Sequence, residues 1–332
     1  MPHADARSAA ELILAQTTIP FAPQPVNLGP EEDMVLQCAS ALPCLKVDLG
    51  ARRALALSHD REGELLRFYE RLLAEDVDYF APPTARGLDA LLAGLPQKPC
   101  PRLLKGQVVG PVTFGTSVKD ESGRAIIHDR ELMDACCQGL AMKAAWQISQ
   151  LRGAGAEAVI FFDEPSLAGF GSAFMALERE AVLGLFSSLL ATTRQVRPDA
   201  VLGVHCCGNS DWPMLLSCGA DVISFDSWSF LDNFCLFPRE IDAFLRGGGY
   251  LAWGAVPTAS PLPEDLSVLA QRLHQGLERL EQAGVNDGLL RCRSILTPSC
   301  GMGLLSEAEA TRVLEALTWL RSEMLAARSK AA

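Results

Sequence analysis

The sequence lacks the features that place a chain in a membrane, in an export pathway or on nucleic acid. No apolar run reaches the roughly 18 residues that a membrane span requires. The stretch from Met1 to Ala15 mixes acidic and basic side chains into a short apolar run, which is not typical of a signal peptide. Basic residues are scarce, since 29 Lys and Arg stand against 40 Asp and Glu, a formal net charge of −11. This deficit disfavours binding to phosphate backbones or anionic lipid. We therefore expect a cytoplasmic protein with no nucleic-acid and no membrane partner.

The composition also disfavours a disulfide-stapled or disordered chain. Without export to an oxidising compartment, the 11 cysteines are expected to be mostly thiols in small apolar environments. Hydrophobic residues make up 49% of the sequence and charged residues 21%, which is enough for a large core. No internal repeat, low-complexity block or long Pro/Gly-rich linker divides the chain. We therefore expect a single catalytic domain over residues 1–332.

Short β-rich runs alternate with segments of helical composition along the chain. The runs predicted as strands are residues 13–19, 44–49, 103–109, 158–162, 200–206, 221–225, 249–255 and 294–297. The principal predicted helices are residues 61–74, 130–152, 174–193, 263–283 and 306–327. Alternation of this kind indicates parallel strands joined by right-handed crossovers. Eight strands favour a closed (β/α)8 TIM barrel of the α/β class, whereas six or seven would suit an open sheet.

Two parts of the chain lie outside the regular alternation. Residues 1–12 are predicted as an N-terminal lead. Residues 50–102 form a long helical insertion between the second and third strands, with two helices and a loop near residues 79–83. In a TIM barrel the active site lies at the carboxyl ends of the strands. Reactive side chains at those ends are therefore the candidates for function.

Thiol, imidazole and carboxylate side chains are predicted to meet at these strand ends. His205 and Cys207 end the fifth predicted strand and share one face because they are two residues apart, whereas Cys206 faces the opposite layer. Cys300 follows the last strand, and Asp226 follows the sixth. Nitrogen, sulfur and oxygen ligands drawn from separate strands are typical of catalytic zinc. A lone His-x-Cys pair is mostly coincidental, so Cys300 adds weight to this interpretation.

The chemistry that this ligand set predicts is activation of a thiol. A zinc ion bound by two thiolates and an imidazole is a modest Lewis acid towards carbonyl groups. It is well suited to bind a substrate thiol, which loses its proton on coordination at neutral pH. The thiolate then serves as a nucleophile for in-line attack on a methyl group.

These segments resemble the zinc-binding segments of cobalamin-independent methionine synthase. Residues 205–207, 221–226 and 298–301 are similar to the family's His-x-Cys pair, its D-V-I-x-x-E run and its final Cys-Gly. Residues 105–113 and 161–165 are similar to its K-G-x-x-x-G-P-V-T and I-D-E-P runs. The matches keep the order of the chain from Lys105 to Gly301.

The resemblance implies a zinc site and a substrate-binding acid. His205, Cys207 and Cys300 are the implied zinc ligands. Asp226 stands where the family has Glu, and it either completes the zinc shell or leaves as the thiol binds. Asp163 is the counterpart of the family's Asp that contacts the amino group of homocysteine.

Three further residues have predicted roles near the substrate. Glu164 is predicted to orient Asp163 or a neighbouring group, and with it to form a catalytic acid pair, although a structural acid pair before a helix-starting proline is the alternative. Gly110 is predicted to shape a tight turn that lets the backbone approach the ligand. Trp228 is predicted to line the pocket, with a buried structural aromatic as its alternative.

The sequence departs from the methionine synthase pattern in ways that bear on the methyl donor. The chain has room for one barrel, without the family's N-terminal duplicate that helps to bind folate. The family's Ile-Gly-Ser-Phe-Pro motif appears only at residues 19–24, without the serine. Residues 205–209 are closer to the H-x-C-G-N run of corrinoid-dependent thiol methyltransferases in the uroporphyrinogen-decarboxylase-like superfamily. The resemblance therefore implies a methylcorrinoid, free as methylcobalamin or bound to a corrinoid protein, as the donor.

We predict a zinc-dependent methyltransferase that moves a methyl group from a methylcorrinoid, or from methyltetrahydrofolate, to a thiol. Homocysteine is the first acceptor to consider, which would place the reaction in methionine biosynthesis. One alternative is a metal-free decarboxylase of the uroporphyrinogen type, which needs basic residues to bind several carboxylates. The other is a non-catalytic barrel that binds zinc or a corrinoid protein.

Overall fold

The centre of the molecule is a curled sheet of six parallel strands. The computed structural model describes residues 1–57, 59–95, 100–172 and 175–331, apart from the side chains of residues 327–331. In chain order and in spatial order alike, the strands of this sheet are β3 (Leu103–Val109), β5 (Glu157–Asp163), β6 (Val201–Cys206), β7 (Val222–Phe225), β8 (Tyr250–Val256) and β9 (Ser294–Pro298). Since every ladder is parallel, all six carboxyl ends lie at one edge.

A second, smaller sheet holds the remaining strands of the described residues. Its members are β1 (Leu45–Asp48), β2 (Arg53–Ala56) and β4 (Lys119–Asp120). β1 and β2 form an antiparallel hairpin, and β4 pairs with β2 in parallel. The predicted strand at residues 44–49 is thus a strand, but it lies in this hairpin and not in the central sheet.

Helices follow most strands of the central sheet and pack on its outer face. The α-helices are α1 (Ala6–Gln16), α2 (Met34–Ala39), α3 (Arg61–Leu73), α4 (Arg86–Gly94), α5 (Pro111–Ser117), α6 (Arg130–Gly153), α7 (Arg179–Val196), α8 (Trp212–Leu216), α9 (Ser227–Phe234), α10 (Pro238–Arg246), α11 (Ser267–Gln282), α12 (Asp287–Cys292) and α13 (Glu307–Ala331). Short 3-10 helices lie at Val26–Leu28, Pro30–Glu32, Val77–Phe80, Ile126–His128 and Pro165–Gly169. The five predicted helices are present with shifted ends, and the predicted start of one at Phe174 lies outside the described residues.

Inward side chains of the central sheet are partly accessible on β3 and at the end of β6, whereas those in the lower part of β5, β7 and β8 form a buried apolar cluster. On β3 the outward-facing Leu104 and Val108 are almost completely buried against helices, whereas the inward-facing Leu103, Lys105 and Gln107 retain accessible surface. The same contrast separates buried Cys206 from its neighbour His205 on β6. The curled sheet is therefore concave on its inward side, which is called the lumen below, and the inward side chains of the strands line it.

The N-terminal segment corrects one sequence prediction. Residues 13–19 do not form a strand, because residues 13–16 are the last turn of α1. The buried residues Ala6, Ala9, Ala10 and Ile13 recur at helical spacing, and the Asp5 carboxylate caps the helix by accepting hydrogen bonds from two amides of its first turn. The next segment reaches the sheet only at Phe21, in an isolated parallel bridge to Lys105. The eight-stranded barrel is therefore shown only as a six-stranded half-barrel of the α/β class.

The long insertion contains more than the two predicted helices. α3 and α4 are the two expected helices, but a 3-10 helix at Val77–Phe80 overlaps the start of the expected loop, and the insertion opens with β2. Lys143 of α6 donates a buried hydrogen bond to the backbone carbonyl of Phe80 at 3.1 Å. This bond connects the insertion to a helix that packs on the central sheet. No described helix is both long and apolar enough to cross a membrane.

An aromatic cluster forms the core behind β7 and β8. The Phe225 and Phe234 rings are stacked with centroids 4.0 Å apart, and Trp212 and Trp253 pack edge-on against both of them. Phe225, Phe234, Trp212 and Trp253 are completely buried. Trp253 thus faces the helices and does not line the lumen.

We expect Phe234→Ala to lower the free energy of unfolding by about 3–5 kcal/mol, because it leaves a cavity among three aromatic rings. Leu236→Ala is the matched control, since Leu236 is 62% exposed two residues later. The control should stay within about 0.5 kcal/mol of the parent. Chemical denaturation followed by tryptophan fluorescence measures both variants. Equal losses in the two variants would contradict the assignment of this cluster to the core.

Candidate active site

Backbone hydrogen bonds hold three strand ends at one level. The Gly110 amide after β3 donates to the Asp163 carbonyl at the end of β5, at 2.8 Å. The Glu164 amide donates in turn to the His205 carbonyl on β6, also at 2.8 Å. Asp163 and His205 are register partners, so both side chains face the lumen side by side.

The Glu164 carboxylate binds the first turn of α5. Its Oε1 accepts a hydrogen bond from the Val112 amide at 2.8 Å, and its Oε2 accepts from the Thr113 amide at 2.7 Å and the Thr113 hydroxyl at 2.6 Å. Anions are stabilised at helix N-termini, where amides have no partner within the helix. Burial raises the pKa of Glu164 to about 7, and the hydrogen bonds from Thr113 and Val112 oppose this rise. Because both oxygens are occupied and the side chain is completely buried, Glu164 positions the strand ends and does not face the lumen.

Gly110 is required by the position of Glu164. A Cβ atom at Gly110 would lie 2.3 Å from the Glu164 Cδ, closer than real Cβ contacts. The glycine therefore lets the loop pass over the carboxylate, which is a packing role. Its predicted contact with substrate stays a prediction.

Three of the predicted metal ligands lie together at the mouth of the lumen. One ligand atom from each of His205, Cys207 and Cys300 lies within 4.8 Å of the other two. All three residues are half-buried, and the last two are free thiols. Cys206 is completely buried on the opposite face, as the alternation of the strand predicts, and burial raises its pKa to about 12.

Ser224 holds the imidazole ring of His205. The Ser224 hydroxyl lies 3.0 Å from the His205 Nδ1, and these two residues are register partners on β6 and β7. Which of the two atoms donates depends on the tautomer of the ring. When Nδ1 carries the proton, Nε2 has a free lone pair for a metal, which is the arrangement usual at metal-binding histidines.

The two thiols are strongly coupled. A hydrogen bond from the Cys207 thiol, with a further one from His205, lowers the pKa of Cys300 to about 4. The same Cys207–Cys300 hydrogen bond, with burial, raises the pKa of Cys207 far above its ordinary range. These shifts favour a thiolate at Cys300 and a protonated Cys207, and binding of a metal by both sulfurs would release that proton.

Gly254 lets the segment that carries Cys300 approach β7. A Cβ atom at Gly254 would lie 2.6 Å from the Phe225 carbonyl oxygen and 2.8 Å from the Ser299 Cα. The β8–β9 ladder also shifts register at this point. The Ser299 hydroxyl accepts a hydrogen bond from the Thr258 amide at 3.1 Å, which fixes the residue before Cys300.

Asp226 lies beside the three ligands but is not one of the residues that group with them among the described residues. Its carboxylate caps α9 by accepting a hydrogen bond from the Ser229 amide at 2.9 Å. Burial raises the pKa of Asp226, and the negative charge of Cys300 adds to the rise. The cap occupies Oδ1 of this carboxylate, and the predicted role of Asp226 as fourth ligand stays a prediction.

Asp163 faces the lumen next to the ligand group. Burial raises its pKa, the charges of Lys105 and His205 oppose the rise, and Cys300 adds to it. The side chain is half-buried and thus remains reachable from the lumen. This position is compatible with its predicted contact to a substrate ammonium group, which stays a prediction.

Trp228 lies on α9 and packs against Arg272. The Arg272 guanidinium carbon is 5.6 Å from the centroid of the Trp228 ring, and Arg272 Nε donates to the Trp228 carbonyl at 2.7 Å. The ring is half-buried near the end of β7. Its predicted role in binding substrate is not decided by these contacts.

Sequence reasoning did not single out Ser224, Gly254 or Lys105 as residues of this site. Ser224 could have been found by alternation, because it is two residues before Asp226 on a strand. Gly254 could not have been found this way, because its role depends on how far β9 shifts against β8. Lys105 was matched only as part of a motif, and its inward direction follows from the register of β3.

We expect Gly110→Ala to lower the free energy of unfolding by about 1–3 kcal/mol, because the added methyl group collides with the Glu164 side chain. Gly153→Ala is the matched control, since no atom lies within 4 Å of a Cβ placed there. Gly153 is the last residue of α6, so the control should be neutral or slightly stabilising. Thermal unfolding followed by circular dichroism measures both. An unchanged midpoint for Gly110→Ala would show that the loop can move aside.

We expect Cys300 of the metal-free protein to be alkylated by iodoacetamide at about pH 6 at least about tenfold faster than Cys100, because the thiolate is the reacting species. Cys100 is the control because it is an exposed free thiol outside the site. Above the lowered pKa of Cys300 the advantage is present, and it is lost as the pH falls through about 4. Added Zn²⁺ should protect Cys300 and not Cys100. Peptide mass spectrometry reads out both sites, and equal rates with and without zinc would contradict the prediction.

Comparisons with known proteins identify structural neighbours but no sequence relatives. No protein-family model matches the chain, and no curated protein sequence does. A methyltransferase from Methanosarcina mazei has a TM-score of 0.56 at 15% sequence identity, with 97% of this chain and 87% of that chain covered. A B12-independent methionine synthase from Shewanella sp. W3-18-1, solved in complex with selenomethionine, has a TM-score of 0.46 at 19% identity. In that match 67% of this chain is covered, and it spans 63% of the length of the methionine synthase.

The match to the Methanosarcina mazei methyltransferase confirms a relation in fold to one of the two kinds of protein that the motifs suggested. At such low identities a likeness establishes the fold and not the reaction, and the methionine synthase match is too weak to carry an argument. The chain is therefore a structural relative of the Methanosarcina mazei methyltransferase, with which it shares its α/β fold.

Proposed function

We propose that the chain is a zinc-dependent methyltransferase that moves a methyl group from a methylcorrinoid to a thiol, with homocysteine as the first acceptor to test. The observation that carries the proposal is the group formed by His205, Cys207 and Cys300, whose ligand atoms lie within 4.8 Å of one another at the mouth of the lumen. The fold of the Methanosarcina mazei methyltransferase supports it. We propose further that the six-stranded half-barrel is the catalytic part of a (β/α)8 barrel.

The ligand group fits zinc in both chemistry and spacing. Zinc prefers imidazole nitrogen and thiolate sulfur, and ligand atoms around one tetrahedral ion lie about 3.5 Å apart. Small movements of the three side chains meet that requirement from the present spacing. Three protein ligands leave one position for a substrate, which distinguishes catalytic from structural zinc sites. When bound, zinc supplies a positive charge that favours the thiolate form of an acceptor thiol at neutral pH.

The protein's own residues prepare the site for a thiol. Ser224 holds the His205 ring so that one nitrogen can face the lumen. The strand-end hydrogen bonds through Gly110 and Glu164 hold Asp163 beside His205. In the proposed complex Asp163 binds the ammonium group of the acceptor and so orients its sulfur towards the ligand group.

The proposed transfer balances without a further reactant. The bond between cobalt and the methyl carbon breaks, and the electron pair stays with the cobalt of the corrinoid. A new bond forms between the methyl carbon and the acceptor sulfur, and the thiol proton leaves to solvent. The corrinoid rather than a folate is proposed because residues 205–209 follow the H-x-C-G-N run.

The arrangement of basic residues disfavours a decarboxylase of the uroporphyrinogen type. Arg291 and Arg293 precede β9, so they lie at the opposite edge of the sheet from the ligand group. Arg293 donates to the Gly248 carbonyl and packs on the Tyr250 ring, while Arg291 pairs with Asp287. Neither is available to bind carboxylates at the mouth of the lumen.

We expect the purified protein to contain about one zinc ion per chain, and Cys207→Ala to weaken zinc binding by more than about 100-fold, since even loss of a group behind a ligand costs 10–100-fold. Cys206→Ala is the matched control, because the adjacent thiol faces away from the site and is completely buried. Metal analysis after dialysis against a chelator measures both. A protein without zinc, with Cys207→Ala unchanged, would rule out the zinc-dependent reading.

We expect the zinc-loaded protein to demethylate methylcobalamin in the presence of homocysteine, with loss of activity by at least about 1000-fold in Cys207→Ala and near-parent activity in Cys206→Ala. The absorption spectrum of cobalamin follows the reaction, and mass spectrometry detects methionine. If zinc is bound but no thiol is methylated, from methylcobalamin or from a methylated corrinoid protein, the non-catalytic binding barrel becomes the better interpretation.

A further inference from the structure

A second functional group faces the lumen below the ligand group. Lys105 lies on the inward face of β3 and is half-buried. Its Nζ donates to the Gln107 Oε1 at 3.1 Å and lies 5.0 Å from the centroid of the Phe161 ring. In the described part of the chain no carboxylate oxygen lies within 4.0 Å of this nitrogen, the distance that defines an ion pair.

The position of Lys105 is built by its neighbours. Phe161 on β5 is the register partner of Gly203 on β6. A Cβ atom at Gly203 would lie 2.6 Å from the Phe161 ring, so the glycine makes room for the ring. Phe21 lies on the other side of the ammonium group, with its ring centroid 6.0 Å from Nζ. Gln107 in turn donates its amide to the Ala22 carbonyl at 2.8 Å, which keeps its oxygen directed at Nζ. The ammonium group is therefore held between aromatic faces with one neutral acceptor.

A cation in this setting is costly to the folded state. Burial lowers the pKa of Lys105, and the charge of Asp163 opposes this only in part. An ammonium group that leaves water without an anion beside it lowers stability. Such a group is relieved when an anion enters, which is the behaviour expected of a ligand-binding residue.

The register of the strands places Lys105 deep in the lumen below the ligand group. Lys105 is opposite Val159 on β5, four residues before Asp163, and Val159 is opposite Val201 on β6, four residues before His205. Four residues correspond to about 13 Å of strand. The Lys105 side chain extends towards the carboxyl ends of the strands, because its Nζ lies 5.0 Å from the ring of Phe161, two residues beyond its partner Val159. The distance from Nζ to the ligand group is therefore shorter than the distance along the backbone. A ligand with sulfur at the mouth can thus direct its other end towards Nζ, passing Asp163.

We propose that Lys105 binds the anionic head group of the thiol acceptor, a carboxylate or a sulfonate, and so selects thiols that carry an acid group. The inference rests on the proposed thiol methyl transfer and adds the chemistry of the acceptor to it. The anion replaces Gln107 as the acceptor of the ammonium hydrogen bonds and pairs with a charge that, among the described residues, has no carboxylate within ion-pair distance. Asp163 lies between Lys105 and the ligand group. An acceptor that carries both an acid group and an ammonium group can therefore pair the first with Lys105 and the second with Asp163.

The test measures thiol binding without turnover. The protein is loaded with Co²⁺ in place of Zn²⁺, and the visible absorption that changes on thiol binding is titrated at about pH 7.5, where both acid groups are ionised and zinc-site thiols coordinate as thiolates. The probes are 3-mercaptopropionate, 2-mercaptoethanesulfonate and the neutral 2-mercaptoethanol. The variants are Lys105→Met, which removes the charge, and Lys105→Arg, which keeps it. Lys46→Met is the matched control on the exposed face of β1.

The expected result is a selective loss. Lys105→Met weakens binding of the better anionic thiol by about 10- to 100-fold, the value of a hydrogen bond to a charged group. Binding of 2-mercaptoethanol stays unchanged, and Lys105→Arg and Lys46→Met keep most of the affinity for the anion. The anion that the parent protein binds more tightly identifies the head group as carboxylate or sulfonate.

Thiol binding by the Co²⁺ protein distinguishes a wrong role for Lys105 from a wrong function for the site. If the parent protein binds thiols but Lys105→Met keeps its preference for the anion, or no preference exists, the role of Lys105 is overturned and the thiol site stands. If no thiol of either kind changes the spectrum of the Co²⁺ protein, the proposed function fails, and this inference with it. The thermal midpoint separates binding from folding: Lys105→Met should unfold at the same or a higher temperature, and a lower midpoint would assign the residue a structural role.

Discussion

The structure of the site depends on the buried Glu164 carboxylate bound to the first turn of α5. This carboxylate ties the loop after β3 to the end of β5, and the Glu164 amide continues the connection to His205 on β6. Two amides and a hydroxyl of α5 donate hydrogen bonds to the Glu164 carboxylate, and a helix N-terminus favours its ionised form. The side chains that face the lumen from these strands are consequently held at fixed heights. Glu164, which has no access to the lumen, thus positions Asp163, which faces it.

The two faces of β6 show how one strand separates structure from chemistry. Cys206 is completely buried among the helices, where burial keeps its thiol protonated, while His205 and Cys207 face the lumen and meet Cys300. Adjacent thiols of identical chemistry therefore differ in function because the side chains of a strand alternate. From the mouth of the lumen inwards come the three potential metal ligands with Asp163 beside them, and then the ammonium group of Lys105, which donates to Gln107.

Several parts of the fold could be predicted from local pattern, and others could not. The six parallel strands and the long helices follow from alternating composition, and their order follows from the rule for parallel connections. Residues 13–19 were wrongly predicted as a strand, because the apolar spacing from Ala6 to Ile13 has to be followed across the whole helix to be recognised. The hairpin of β1 and β2 was not separable from the central sheet, since pairing depends on residues distant in sequence.

The sequence by itself determined which residue types reach the carboxyl ends of the strands. Spacing of two places His205 in β6 and Cys207 just after it on one face of extended backbone, and the Asp163–Glu164 pair lies at the carboxyl end of β5. Only the tertiary structure decided that Cys300 joins them, because this requires the close approach at Gly254 between segments far apart in the chain. It also decided that Glu164 is enclosed by α5, that Asp226 caps α9, and that Lys105 faces the lumen with the Gln107 amide oxygen as its acceptor. Alternation along a strand is a local property of the backbone, whereas distances between strand ends arise from packing.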